Sequence, residues 1–450
     1  MNDPTTKPAA PLCGYDDLER AVRDGSVQQI MLATPDMHGR LQGKIFNAPV
    51  FMDRHLADGA EMCGYILTAD ALMTPQERSE LSGWSNGFGD LLFHTDRETA
   101  RLLPTRPGTA LLLADAFHHD GTAVQAAPRH LLAAQIHRLQ ALGYTVRAGI
   151  EAEFLLLQEG ASKPLPAWPG NLDYSLDHLP RVAGLFRDLG TSLSEAGISY
   201  EAIKTEGAPG QAEITFAYGD VLRAADDYAL FRRILRDTAR RRGMAVSFMA
   251  APQTGQGSGL HLHLSLWRDG TTPVFAAEVA HAIPPEMRHA IAGLLTALPE
   301  MAPLWAPVPN SYKRFQPHSF APVSYNWGID NRSCAIRVTG HGRGTHLENR
   351  LPGADANPYL ALTASLAAMG HGLTDPKPLL PPCDGDAYAH RESAPVQRGL
   401  AEALGDFETS KTATDLLGPA AVRHYLLAAQ AELDAHDREV TDIERSRAAA

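Results

Sequence analysis

A chain of 450 residues with 44% hydrophobic and 20% charged positions can build more than one core and is not wholesale disordered. Its formal net charge of -12 argues against nucleic acid or an anionic membrane as a partner, while allowing a cationic pocket within an acidic surface. Four cysteines (Cys13, Cys63, Cys334, Cys383) without CxxC spacing, and no signal-peptide pattern, lead us to expect reduced thiols in the cytoplasm.

Residues 1–14 are polar and proline-bearing and are expected to form a disordered tail. Asp16 to Arg23 reads as a short helix. Gln28 to Thr34 and Leu41 to Asn47 read as a hairpin across Pro35-Asp36-Met37-His38-Gly39-Arg40. Asp53 to Ala60 reads as a further short helix. Leu91 to His94 and Ala110 to Ala114 are strand candidates around a proline-rich link, Leu103 to Gly108, so a small α+β unit over 15–106 is expected.

Pro128-Arg129 opens an amphipathic helix to Leu142, with Gly143 after its end. Val146 to Leu157 is a strand, and Leu179 to Ala196 a helix stopped by Gly197. Glu201 to Lys204 and Gln211 to Ala217 are strands joined by a turn containing Gly207, Pro209 and Gly210. Ala224 to Arg242 is a helix with a basic C-terminal end that suits its dipole. Met244 to Ala250 is a strand. Pro285 to Leu298, Pro358 to Gly370 and Ala420 to Glu439 are helices. The apolar stretch Pro358 to Leu373 is too short and too rich in small residues to span a membrane and reads as a buried helix. Strands and helices alternate without a βαβ rhythm, which favours an α+β fold over a doubly wound sheet.

Three patterns carry chemistry. Gly257-Ser258-Gly259-Leu260-His261-Leu262-His263-Leu264-Ser265-Leu266 is a glycine-rich turn entering an alternating strand. His261, His263 and Ser265 share one face and the leucines the other. Such a histidine pair is by itself more often a satisfied pair in a sheet than a metal site. Glu151 and Glu153 also share a strand face, between the apolar flanks Ala148-Gly149-Ile150 and Phe154-Leu155-Leu156-Leu157. Buried carboxylates there would need a cation. With Glu206 and Glu213 they make an oxygen-rich set that, beside His261, suits Mg²⁺ or Mn²⁺, and Glu348 stands two residues before Arg350. The arginines cluster as Arg314, Arg332, Arg337, Arg343 and Arg350. Guanidinium groups hold carboxylates and phosphates bidentately, so an anion held over metals is expected. No Walker A sequence is present, and Gly255-Gln256-Gly257-Ser258-Gly259 lacks a following helix, so neither a P-loop nor a Rossmann motif is implied.

Taken together, Pro128-Arg129, Glu151-Ala152-Glu153, Pro209-Gly210-Gln211-Ala212-Glu213, the Gly257 to Leu266 segment, Asn310-Ser311-Tyr312-Lys313-Arg314, Asn331-Arg332-Ser333 with Arg337, Glu348-Asn349-Arg350 and Asn357-Pro358-Tyr359 resemble the glutamine synthetase family, from about Val27 onward. The resemblance implies an N-terminal β-grasp-like domain (15–106) and a larger catalytic domain (107–450) with a curved antiparallel sheet. It also implies a homo-dodecamer of two stacked hexameric rings with sites between neighbouring subunits. The implied reaction is ATP-dependent: the γ-carboxylate of glutamate takes the γ-phosphoryl group, and an amine then displaces phosphate. Glu153, Glu206 and Glu213 would hold one metal ion and Glu151, His261 and Glu348 a second, with two or three Mg²⁺ or Mn²⁺ ions per site. His263, Arg332 and Arg337 would contact the ATP phosphates, and Ser265, Glu201 and Tyr218 the nucleoside. Arg314 would bind the α-carboxylate of glutamate, Arg350 its γ-carboxylate, and the Gly257 backbone its amino group.

The sequence departs from the family's pattern in the ammonium pocket. Cys63 stands where glutamine-forming members carry an Asp, and Phe320, before Ala321-Pro322-Val323, replaces a Glu. Losing two acids that would desolvate and deprotonate ammonium points to a larger organic amine, with a monoamine such as ethanolamine preferred. A polyamine served by Glu61 or Asp70, ammonium itself, and a silent glutamate-sensing homologue are the alternatives. Gln256 stands where Asn or Asp is usual, and His346 where many members have an Arg near the nucleotide phosphates. The surroundings of Tyr388 do not match the family's adenylylated tyrosine, so no such control is expected.

Overall fold

The computed structural model describes residues 14–76, 78–160, 165–177, 180–276, 282–390 and 392–448. The expected N-terminal tail, apart from Gly14, and Cys13 lie outside the described residues.

Helix α1 (Tyr15–Arg23) precedes the expected hairpin of β1 (Gln29–Pro35) and β2 (Leu41–Asn47). The Asp36 carboxylate closes its turn by accepting the His38 and Arg40 amides at 2.9 and 2.8 Å, with Gly39 at φ 67°. The next helix is α2 (Ala48–Arg54), not Asp53 to Ala60. Asn47 caps it by accepting the Val50 amide, and a proline sits in its first turn. The chain then leaves the helix, turns at Gly59 (φ 87°) and enters β3 (Ala60–Cys63).

Strand β4 (Asp90–Leu102) returns as β5 (Thr109–Phe117), and the sheet order is β2-β1-β5-β4-β3. Strand β5 runs parallel to β1 and antiparallel to β4. The expected boundary at residue 106 therefore falls inside this sheet: the proline-rich link is a hairpin loop, and the unit extends to Phe117. Period-2 alternation explains why β5 belongs to two cores. Ala110, Leu112, Ala114 and Ala116 pack with Ile30, Phe51 and Phe93, while Leu111 and Leu113 face the larger core.

The larger unit is a ten-stranded sheet, antiparallel except between β13 and β14. It opens with α3 (Pro128–Ala141), β6 (Thr145–Gln158), α4 (Pro180–Glu195), β7 (Tyr200–Thr205), β8 (Gln211–Phe216), β9 (Gly219–Asp220) and α5 (Val221–Arg240). Strands β10 (Met244–Ser247), β11 (Leu260–Arg268) and β12 (Thr272–Pro273) follow, then α6 (Pro285–Ala297) and the single turn α7 (Pro309–Tyr312). Strands β13 (Trp327–Ile329), β14 (Ile336–Thr339) and β15 (His346–Asn349) complete the sheet. The last helices are α8 (Pro358–Thr374), α9 (Leu400–Thr409), α10 (Lys411–Leu417), α11 (Pro419–Arg438) and α12 (Asp442–Ala448).

One sheet face is apolar: Val146, Ala148, Ile150, Ala152 and Phe154 on β6 and Leu260, Leu262, Leu264 and Leu266 on β11 are all buried. Helix α8 is buried on every side from Pro358 to Met369, as its composition predicts. A Cβ on Gly293 of α6 would meet Ala368 O at 2.2 Å, so the α6 and α8 backbones touch where glycine leaves room. No helix among the described residues is long and apolar enough to cross a membrane.

Helix α11 packs His424 beside the first unit, with Nε2 shut off from solvent and without a hydrogen-bond partner. Burial pushes this imidazole down to about 4 against the raising effect of the Leu67 backbone. The unfolded chain protonates near pH 6.5 and the folded one only near 4, so stability falls as pH drops through that window. Urea titrations should show a loss on the order of 2 kcal/mol between those limits, reduced in His424→Gln. Equal pH slopes for the two proteins would remove this assignment.

Candidate active site

The polar face of the larger sheet gathers the expected residues through strand register. In the order β14-β15-β11-β6-β8, Arg337 lies opposite Glu348, Glu348 opposite His263, His261 opposite Glu151, and Glu153 opposite Glu213. Directly opposed side chains on one face are near neighbours, so residues scattered between positions 151 and 348 become contiguous.

Three overlapping donor groups result among the described residues, one of them Glu151, His263 and Glu348. Glu153, Glu206 and Glu213 offer carboxylate oxygens within 4.8 Å of one another, and so do Glu151, Glu213 and His261 with one atom each. His261 Nδ1 lies 3.1 Å from Glu151 Oε2 and 3.5 Å from Glu348 Oε1, and its Nε2 lies 3.9 Å from Glu153 Oε1. These contacts link the groups and bring together every residue expected to hold a metal. Burial and then the nearby Glu151 push the Glu213 carboxyl up to about 9 despite Lys204. Oxygen donors in such number, with one imidazole and excess negative charge, fit a hard divalent cation.

Glu348 is fully buried between Arg337, whose Nη1 donates to Oε2 at 2.9 Å, and Arg350, which donates to Oε1. Burial raises its pKa, but Arg350 and then His261 outweigh it and hold the carboxyl at about 2. Arg350 also donates to the carbonyls of Arg332 (3.1 Å) and Phe320 (3.4 Å). Arg314 donates to the carbonyls of Arg350 and Leu351, and burial lowers its pKa to about 10. Gly257 packs on it: a Cβ there would lie 3.0 Å from Arg314 Cγ.

A cavity of about 460 Å³ opens beside the clusters. Glu201, Tyr218, His263, Ser265, Arg332 and Arg337 all line it, which are the residues expected around a nucleotide. Trp267 and Arg343 line it as well, and Arg147 lies over the Trp267 ring at 4.5 Å.

Several roles were not read from the sequence. Lys204 lies opposite Glu213 on β7, 3.7 Å from that carboxylate and 3.2 Å from Asp173, and it also pairs with Glu206. Gln211 Nε2 donates to Glu153 Oε2 (2.8 Å), Gly257 O (2.9 Å) and Ser258 Oγ (3.0 Å), so it locks the Glu153 strand to the glycine turn. A period-2 reading of Lys204 and Glu206 could have signalled the first; nothing local signalled the second.

The two departures lie apart within the chain. The Phe320 side chain is 69% exposed on a backbone at φ 59°, beside the carbonyl that Arg350 grips. The Tyr388 hydroxyl donates to the next carbonyl, Ala321 O. Cys63 ends β3 opposite Asp90, and its thiol donates to Phe88 O at 3.2 Å. Among the described residues, no hydrogen bond or ion pair joins it to the acid–arginine cluster.

A model of the glutamine synthetase catalytic domain matches residues 125–448. The γ-glutamylethanolamide synthetase GlnA4 of Streptomyces coelicolor is 41% identical over 446 residues, covering 97% of this chain and 96% of its own. A glutamate–isopropylamine ligase from a Pseudomonas species is 32% identical, over 89% of this chain and 90% of its own. Among solved structures, a GmaS complex with ADP superposes with a TM-score of 0.86 at 25% identity, covering 97% of this chain and 99% of that one.

Proposed function

The chain belongs to the glutamine synthetase family, as a γ-glutamyl-amine ligase, and from that premise we propose that it joins the γ-carboxylate of glutamate to a small monoamine, with ethanolamine as the best candidate. The observation that carries the choice of amine is Phe320. An apolar residue, where an acid would serve ammonium, presents its backbone carbonyl to the arginine assigned to the reacting carboxylate and leaves its ring exposed. The 41% identity to a γ-glutamylethanolamide synthetase supports the same substrate.

In this reading Arg314 and the Gly257 backbone hold the amino-acid end of glutamate, and Arg350 aims its γ-carboxylate at ATP. Arg332, Arg337 and His263 hold the phosphates, and Ser265, Glu201 and Tyr218 the nucleoside. Glu153, Glu206 and Glu213 would hold one Mg²⁺ or Mn²⁺, and Glu151, His261 and Glu348 another. Bound there, the ions would neutralise phosphate charge. Assembly as two stacked hexameric rings in the cytoplasm would let Cys63 meet a neighbouring copy's Phe320.

Phosphate release with glutamate, ATP and Mg²⁺ should be about a hundredfold more efficient with ethanolamine than with ammonium. Release with ammonium alone overturns the proposal, and preference for putrescine moves it to the polyamine alternative. The double variant Cys63→Asp/Phe320→Glu should raise ammonium-supported release about tenfold and lower that with ethanolamine. No gain with ammonium would count against the pocket argument.

A further inference from the structure

The segment that carries Phe320 is held in an unfavoured backbone. His318 and Phe320 lie at φ 61° and 59°, in the left-handed region that residues other than glycine rarely adopt. Such a backbone persists only where surrounding contacts over-determine it. Two consecutive carbonyls receive those contacts. Phe320 O accepts from Arg350 at 3.4 Å, and Ala321 O accepts from the Tyr388 hydroxyl at 3.2 Å. The Tyr388 ring also lies against the His318 ring, with centroids 5.1 Å apart.

Tyr388 stands on a fixed platform. The Cys383 amide donates to Trp327 O of β13 at 2.7 Å. The Asn331 side chain donates to Cys383 O at 3.0 Å and to Gly385 O at 2.8 Å, and Ser333 Oγ accepts the Ala387 amide at 3.2 Å. The turn that brings Arg332 to the nucleotide cavity therefore also holds the loop leading into Tyr388.

We propose that Tyr388 is a positioning residue for the acceptor amine: its hydroxyl and ring hold the His318–Ala321 segment so that the Phe320 ring forms the wall of the amine pocket. The inference rests on the reading of Phe320 given above. A single hydrogen bond from Arg350 would leave the segment free to pivot about Phe320 O. A second bond at the next carbonyl, with the ring contact, removes that freedom. Arg350 itself keeps its bonds to Glu348 and to the Arg332 carbonyl when the tyrosine hydroxyl is lost, so glutamate binding should not feel the change.

The test is steady-state phosphate release by the full chain with Tyr388→Phe, which keeps the ring and deletes one hydrogen bond. KM for ethanolamine should rise about fivefold, the worth of one hydrogen bond, with kcat and the KM values for glutamate and ATP within about twofold of the parent. Ammonium is too small to use the wall, so its KM should stay within about twofold as well. In a Phe320→Ala background, Tyr388→Phe should add no further rise for ethanolamine, because it acts through that side chain. An unchanged KM for ethanolamine in Tyr388→Phe overturns the proposal. So do equal rises for ethanolamine, ammonium and glutamate, which would mean general loosening, and so does a full additional rise in the Phe320→Ala background. Release by the parent with ammonium alone overturns the reading of the amine pocket and this inference with it, whereas an ethanolamine-using parent matched by Tyr388→Phe overturns the inference alone.

Discussion

Glu153→Gln should lower amine-dependent phosphate release about a thousandfold, equivalent to about 4 kcal/mol of barrier, while leaving the thermal midpoint within about 2 °C of the parent. The separation follows from the two carboxylate oxygens. Oε2 accepts from the Gln211 side chain at 2.8 Å and from the Gly259 amide at 2.9 Å. Oε1 faces the cluster, 3.9 Å from His261 Nε2. The glutamine carbonyl can replace Oε2 and keep both hydrogen bonds, so the packing of β6 against the glycine turn survives. The amide group replaces Oε1 and removes both a negative charge and a ligand atom from the Glu153–Glu206–Glu213 group. Phosphate-release kinetics beside a melting curve check both halves. Activity within tenfold of the parent would remove Glu153 from the site, and a collapsed melting temperature would make its role structural.

The polar face of the site was legible because it obeys period 2. Glu151 with Glu153, and His261 with His263, announce a shared face from spacing alone; the family resemblance grouped His261 with Glu151, and the structure supplies the register that sets them opposite each other. Where register alone decides, the sequence was silent. The contact between His263 and His346 depends on β15, a four-residue strand whose sequence His-Leu-Glu-Asn carries little β signal of its own. Lys204 was read only as the end of a strand, because its place among Glu206, Glu213 and Asp173 needs β7 and β8 to be paired. The same limit explains the domain boundary. Residues 103–108 read as a link because proline and glycine punctuate them, whereas the parallel pairing of β5 with β1 spans about eighty residues of chain. The early helix moved from Asp53–Ala60 to Ala48–Arg54 for a local reason, since Asn47 and the proline two residues later form a start signal that outweighs the apolar pattern downstream.

Arg129→Met should destabilise the chain by about 3–5 kcal/mol, the largest stability effect expected of a single change. Arg129 opens α3 with its side chain only 2% exposed, and it holds three acids from three elements. Its Nη2 donates to Asp96 of β4 at 2.9 Å, its Nη1 to Asp115 of β5 at 2.7 Å, and its Nε and Nη2 fork onto Asp226 of α5 at 3.0 and 2.9 Å. The Tyr359 hydroxyl of α8 adds a bond to Asp226 at 2.7 Å. The network therefore ties the first sheet to the helices behind the catalytic sheet. Burial lowers the guanidinium pKa, but Asp226 and then Asp115 outweigh it, so the net shift is upward and the pairing favourable. Burial raises the Asp226 carboxyl against the pull of Arg129, so removing the arginine strands a carboxylate that the surroundings already resist charging. Methionine fills similar volume, which keeps cavity formation out of the measurement. Lysine keeps the charge but loses the fork, so Arg129→Lys should fall between parent and methionine variant. The double variant Arg129→Met/Asp226→Leu should recover part of the loss, because it removes the stranded acid together with its partner. Urea midpoints of the four proteins decide the matter. If the double variant is no more stable than Arg129→Met, the loss comes from packing at the start of α3 rather than from the orphaned charge.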